Sequence, residues 1–188
     1  MVTLVTSNKH KFQEIREMFD QNGLDLEWHE LTYEEIQADD TYSISYDSCR
    51  KLVNLVKAPF FMEDTGLYID SLKGFPGPYS SYVSRTIGNS GILRLLNGLD
   101  RSAKFVTVIS YYDGNSILQF DGILRGHISA ESRGKNGFGF DPIFVPDGSD
   151  MTLSEMGLDL KNSLSHRSMA ISKFISYLKR NDKVTSSS

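Results

Sequence analysis

The 188-residue sequence has one cysteine, Cys49, so it cannot close an internal disulfide, and no zinc-ligand spacing surrounds it. A reducing, cytoplasmic setting is expected. No apolar run approaches the ~18 to 20 residues that span a bilayer. The opening MVTLVT lacks the positive start and long apolar core of a signal peptide, so neither export nor membrane attachment is expected. Excess positive charge is also missing: the formal net charge is −4, which argues against a protein that grips nucleic acid through a long basic face. Internal repeats, low-complexity linkers and a GxxxxGK[ST] phosphate loop are absent too.

What remains is an ordinary globular composition, 39% apolar and 23% charged, in a chain of a size that suits one folded unit. One domain over residues 1–183 is expected, with 184–188 as a disordered tail. Residues 2–6 read as a buried strand, and the spacing of Phe12, Ile15 and Phe19 predicts a helix from Lys9 that stops at Asn22 and Gly23. EWHELTYEEIQ reads as a short strand and a loop. YSISYDSCRKLVNLVK reads as a second helix with Leu52, Val53 and Val56 inward, ended by Pro59.

APFFMEDTGL is the next strand, and GFPGPYSS, with two prolines and two glycines in eight residues, reads as a rigid loop. GNSGILRLLNGL predicts a short helix capped by Asn89 or Ser90 and stopped by Gly98. KFVTVISYY and SILQFDGILRGHIS flank DGN, a hairpin signal. GFGFDPIFVPDG reads as loop and short strand. SHRSMAISKFISYLK closes the order as an amphipathic helix, with Ser165 as cap and Ala170, Ile171, Phe174, Ile175 and Leu178 inward. The class is α/β, mixed throughout.

One stretch poses a question of electrostatics. A strand made for burial, Phe60, Phe61 and Met62, runs into adjacent carboxylates at Glu63 and Asp64, and burying an ionised carboxylate without a partner costs several kcal/mol or forces protonation. A pair delivered to the carboxyl end of a strand suits Mg²⁺; a strand end with both acids solvated is the other reading. Glu34 or Glu35 in YEEIQ could complete such a site, or could be plain solvated acids.

Three further groupings have chemical content. TSNKHK joins a strand to a helix, where free amides plus Lys9 and Lys11 could hold a phosphate, or where an Asn or Ser cap carries surface lysines. KNSLSHR gathers Lys161, Ser165, His166 and Arg167 at the start of the last helix, suited to a phosphate or a nucleobase edge, or to capping alone. In GFGFDP, Phe138 and Phe140 either stack on a base or belong to the core.

TSNxxK, EIQ, EDTGL with GxPGPYS, GFGFDP and K…SHR, in that order, resemble the inosine/xanthosine triphosphate pyrophosphatase (Ham1-like) family. The resemblance runs from Val5 to about Ala170. It implies an elongated mixed sheet with flanking helices, two lobes around a substrate cleft, and a homodimer. It also implies Mg²⁺-dependent hydrolysis (Mn²⁺ as a possible substitute) of ITP, dITP and XTP to monophosphate and pyrophosphate.

By position, the resemblance puts the triphosphate on Thr6, Asn8 and Lys11, with Ser7, Lys9, His10 and Thr65 as further substrate contacts. It puts the metal on Glu35 and Asp64, and general-base catalysis on Asp64. Phe138, Gly139, Phe140 and Asp141 correspond to the base-binding loop, and Lys161, His166 and Arg167 to phosphate and base contacts. Two positions depart from the family pattern: Ser48 stands where a lysine is usual, with Arg50 and Lys51 as the nearest cations, and Ser7 stands where glycine is frequent. A pyrophosphatase for other nucleotides, such as dUTP, and a nucleotide-binding sensor are the alternatives.

Overall fold

The computed structural model describes residues 1–185. Its centre is a mixed sheet in the order β2-β1-β3-β5-β6-β7, built from β1 (Val2–Val5), β2 (Leu26–His29), β3 (Phe60–Ile69), β5 (Ser102–Tyr112), β6 (Ile117–Ile128) and β7 (Phe144–Pro146). A short β4 (Pro76–Gly77) pairs with β3 off this path. β1 runs parallel to β2 and β3, and the remaining pairings are antiparallel.

Helices α1 (Lys9–Gln21) and α6 (His166–Thr185) cover one face at this end of the sheet, where Ile15, Phe19, Phe61, Ile171 and Phe174 form one buried cluster. α2 (Thr41–Leu52) covers the opposite face with Cys49 and Leu52 against Phe60 and Met62. Covered on both sides, β3 needs apolar residues at consecutive positions, which is why FFM does not alternate with polar residues. A third cluster forms a second lobe, where α3 (Ser80–Thr86) and α4 (Gly88–Leu95) pack Val83 and Ile92 on Leu67, Phe105 and Phe144. α5 (Leu158–Leu164) leads into α6.

The hairpin, the first and last helices and the short strand at residue 144 match the sequence reading. α2 does not reach Pro59: Leu55 and Val56 both bond to the carbonyl of Leu52, so the chain turns out of the helix there, with Val56 buried and Val53 only half-buried. GFPGPYSS is not loop alone, because it holds β4 and the start of α3. Ser80 joins them, its hydroxyl donating to the Gly77 carbonyl and accepting from the Leu67 amide. α4 starts at Gly88 with no side-chain cap, so neither Asn89 nor Ser90 caps it. The last helix runs to Thr185, and the rest of the expected tail, 186–188, lies outside the described residues.

Two features of the sheet place the site. β1 pairs with β3 only at Phe60 and Phe61, and β4 joins β3 only from Leu67, so among the described residues Glu63 to Gly66 have no strand on that edge. Their other edge is fully paired with β5. The sheet therefore opens a notch in the middle of β3, past the carboxyl end of β1. The second feature is Gly122 on β6: a Cβ there would overlap the carbonyl of His166, so only glycine lets the first turn of α6 lie against the sheet beside the notch.

Candidate active site

A cavity of about 610 Å³ fills the notch between the lobes. All the expected site residues line it except Lys9, His10 and Lys161. Glu63 and Phe105, with Leu31, Thr32 and Tyr33 before α2 and Pro78, Ser80, Ser81, Ser84 and Arg85 around α3, complete the wall. Pro78 and Ser80 belong to the GxPGPYS motif, whereas Ser81, Ser84 and Arg85 of α3 lie outside every motif and reach the cavity through the β3–β4 pairing.

The two adjacent carboxylates sit mid-strand, not at a strand end, and successive residues of a strand face opposite ways. They meet different surroundings. Glu63 is 3% exposed, and its oxygens lie 2.8 Å from the Lys11 ammonium and 3.1 Å from the Arg167 guanidinium. Burial alone would raise its pKa, but Arg167 and Lys11 outweigh burial and hold the carboxyl well below the usual range. Asp64 has no such clamp: its Oδ2 is buried without a hydrogen-bond partner. Burial, with Glu35 and Glu63 nearby, overcomes Lys11 and pushes Asp64 up to about 7. The Tyr33 phenol shares this acidic corner; burial first, then Asp64 and Glu35, push its pKa far up, so it stays a neutral hydroxyl.

The strand-to-helix turn at Thr6 to Lys11 folds as a capped helix start. The Asn8 side chain accepts from the His10 and Lys11 amides, and the Thr6 hydroxyl accepts from the Asn8 amide. Those amides are therefore taken within the turn and are not free for an anion, a correction to the amide cradle. What the turn delivers to the cavity is Lys11, whose ammonium also donates to the Glu63 carbonyl. Lys9 is exposed, and His10 stacks on the Phe138 ring at 5.4 Å between centroids.

The KNSLSHR grouping is split by structure. Lys161 lies on α5, buried, with Glu14 Oε1 at 2.6 Å and Asp141 Oδ2 at 2.8 Å. Arg167 is bound by Glu14 Oε2 at 2.6 Å as well as by Glu63. Glu14 thus bridges both cations from α1. It is an acid one position before Ile15 on the buried side of an amphipathic helix, and that misfit is the signal that marks it. Ser165 caps α6, accepting from the Ser168 amide. His166 is not a cation here, because burial first and Arg167 next drive its pKa well below the ordinary value.

The two phenylalanines also divide. Phe140 is 3% exposed and belongs to the buried cluster of the second lobe. Phe138 stands over the cavity with the Lys161 ammonium and the Arg167 guanidinium 5.3 and 5.5 Å from its ring centre, a cation–π platform. Gly137, at φ 73°, lets the Asp141 carboxylate fold back on the Phe138 amide at 2.9 Å and fixes that platform.

Ser48 is fully buried with its hydroxyl unpartnered, while Arg50 and Lys51 both pair with Asp47 on the helix surface. Neither cation replaces a lysine at 48. Lys51 instead donates to the Glu34 carbonyl at 3.3 Å, tying down the loop that carries Glu35.

The Ham1 family model matches residues 2–177. The chain belongs to the Ham1 family. Among curated Ham1-like relatives, a dITP/XTP pyrophosphatase of Thermococcus kodakarensis is 45% identical over 183 residues, covering 97% of this chain and 99% of the relative. One of Korarchaeum cryptofilum is 46% identical over 176 residues, covering 93% and 94%. Among solved structures, a HAM1 protein from Coxiella burnetii superposes with a TM-score of 0.83 at 27% identity, over 96% of this chain and all of the other. Those matches over nearly the full length place the Ham1 fold on this chain. Among the described residues no helix is long and apolar enough to cross a membrane.

Proposed function

We propose that the chain is a divalent-metal-dependent nucleoside triphosphate pyrophosphatase that converts ITP, dITP and XTP to the monophosphate and pyrophosphate. The observation that carries this reading is the half-buried Asp64 carboxylate, its Oδ2 without a hydrogen-bond partner, on the wall of a cavity rimmed by Lys11, Arg167 and Phe138. Relatives of closely similar length bear the name dITP/XTP pyrophosphatase, which supports the substrate class.

The donor set fits Mg²⁺. Among the described residues no group of three or more acidic, histidine or cysteine side chains could hold a metal alone. Mg²⁺ takes one or two carboxylates and fills its other positions with water and phosphate oxygens, so Asp64 with Glu35 suffices. When bound, Mg²⁺ or Mn²⁺ neutralises phosphate charge and makes a water easier to deprotonate. Asp64 then orients and deprotonates the water that attacks the α phosphorus, and Lys11, delivered by the Thr6 to Lys11 turn, holds the departing phosphates. Phe138 stacks on the base. The buried cations beside it, Lys161 and Arg167, favour an oxygen acceptor at position 6 of the purine over the adenine amino group, which is itself a donor.

The test is product analysis on ITP, XTP, dUTP, GTP and ATP. ITP and XTP should be cut at least about tenfold faster than ATP, giving pyrophosphate, and EDTA should stop the reaction. Orthophosphate with IDP left behind would contradict the chemistry; preference for dUTP would move the substrate to pyrimidines; tight ITP binding without turnover would indicate a sensor.

We also infer a homodimer from exposed apolar side chains concentrated between residues 75 and 99, including Phe75, Tyr82, Ile87, Leu95 and Leu99. Sedimentation should give twice the 21.2 kDa chain mass, and a monomer would refute it. A cytoplasmic location accords with Cys49, a buried, unpaired thiol whose burial pushes it up to about 12.

A further inference from the structure

A chain of short contacts runs from the notch into the second wall of the cavity. Glu63 Oε1 lies 2.5 Å from the Thr65 hydroxyl, which lies 2.6 Å from the Thr107 hydroxyl, which lies 2.6 Å from His166 Nδ1. Contacts this short between oxygen and nitrogen atoms each require a proton. Three links therefore need three protons, and the two hydroxyls supply one each.

The carboxylate cannot bring the third. Glu63 Oε1 accepts from Arg167 Nε at 3.2 Å, and its other oxygen meets Lys11, so it is an acceptor throughout. If Thr107 donated to the imidazole, either the two hydroxyl oxygens or Glu63 and Thr65 would face each other at 2.5 to 2.6 Å with no proton between them. The longer approach of Thr107 to Glu63, 3.3 Å, spends the Thr107 proton in the same direction. The remaining proton sits on Nδ1.

We propose that Thr107 is a positioning residue that holds His166 as the Nδ1–H tautomer, so that Nε2 meets the nucleotide as a bare acceptor and takes the N1–H of a 6-oxo purine. Phe105 covers one face of the imidazole at 4.5 Å, and Thr107 takes its Nδ1 edge, which leaves the Nε2 edge for the cavity that His166 lines. Burial and the adjacent Arg167 keep a second proton off the ring. Hypoxanthine and xanthine carry hydrogen on N1; adenine presents a bare N1, so two acceptors would oppose each other. The substrate half of this proposal rests on the function proposed above; the tautomer does not.

The experiment uses the full chain labelled with ¹⁵N-histidine, with His166→Gln serving only to assign the resonances. Nδ1 of His166 should have the shift of a protonated ring nitrogen and Nε2 that of a bare one. Thr107→Val, which keeps the shape and removes the hydroxyl, should mix the tautomers, lowering kcat/KM for ITP and raising it for ATP so that the ITP-over-ATP preference falls about tenfold, and Thr107→Ser should restore both. Wild-type enzyme should reject N1-methyl-ITP by at least about tenfold relative to ITP.

A protonated Nε2 or an imidazolium would overturn the tautomer, and equal rates on ITP and its N1-methyl analogue would overturn the contact. Both readouts hold on the wild-type chain if the valine variant fails to fold. Wild-type enzyme inert toward every nucleotide would remove the substrate half together with the proposed function, and the nitrogen shifts would still decide the tautomer.

Discussion

Asp64→Asn is expected to lower ITP turnover about a thousandfold, the scale of a lost general base, while making the metal-free protein more stable at neutral pH. Both effects follow from one fact. Asp64 is half-buried with its Oδ2 lacking a hydrogen-bond partner, and burial with Glu35 and Glu63 nearby pushes its carboxyl up to about 7 from an ordinary 3.8. Between those values the folded chain binds a proton that the unfolded chain has released, so metal-free stability falls as pH rises from about 4 to 7. Three pH units at about 1.4 kcal/mol each put the loss on the order of 4 kcal/mol as an upper limit. Asparagine carries no charge and escapes it. Thermal melts at pH 5 and pH 8 should show the variant gaining on wild type at the higher pH, with Mg²⁺ and nucleotide closing the gap. Turnover near wild type would remove Asp64 from the mechanism, and equal melts at pH 8 would remove the buried-charge account.

Glu63→Gln, one residue away, should do the opposite to stability. Glu63 joins Lys11 to Arg167, both cations within about 3 Å of its oxygens. Neutralising one partner of a buried ion pair leaves charge uncompensated, at a cost of about 3 to 5 kcal/mol. The native carboxyl is held well below its ordinary range, because Arg167 and Lys11 outweigh burial, so its contribution is full at neutral pH and is lost progressively as the pH falls below the ordinary 4.5 into strong acid. The urea midpoint should fall by well over 1 M if the slope is about 2 kcal/mol/M. A variant with the wild-type midpoint would show that the clamp is dispensable. Together the two substitutions test why adjacent carboxylates occupy this strand: one is matched by protein cations, and the other, under the proposed function, is left for a cation that arrives with substrate.

The pairing of opposite roles was not legible in FMEDTGL, because it depends on where β1 stops and β4 begins, two registers set by distant segments. Period and turn chemistry did identify the hairpin, the first and last helices and the apolar stripe of α6, since those elements are long and their patterns local. α3 and α5 escaped because seven-residue helices show too little periodicity, and β4 because two residues show none. The ordered motifs located most of the cavity wall, but not Leu31 to Tyr33, Phe105 or the α3 residues past Ser80. What they could not separate was Phe138 from Phe140, or Lys161 as a buried partner of Glu14 from Lys161 as a phosphate contact, since each distinction depends on packing. Glu14 and Thr107, which orient the cations and the imidazole, lie outside every motif.

The measurement closest to the central claim is hydrolysis of ITP in ¹⁸O-water with Mg²⁺, followed by mass analysis of both products. Attack on the α phosphorus directed by Asp64 predicts the label in IMP and unlabelled pyrophosphate. Label in the pyrophosphate, or in free orthophosphate, would contradict it.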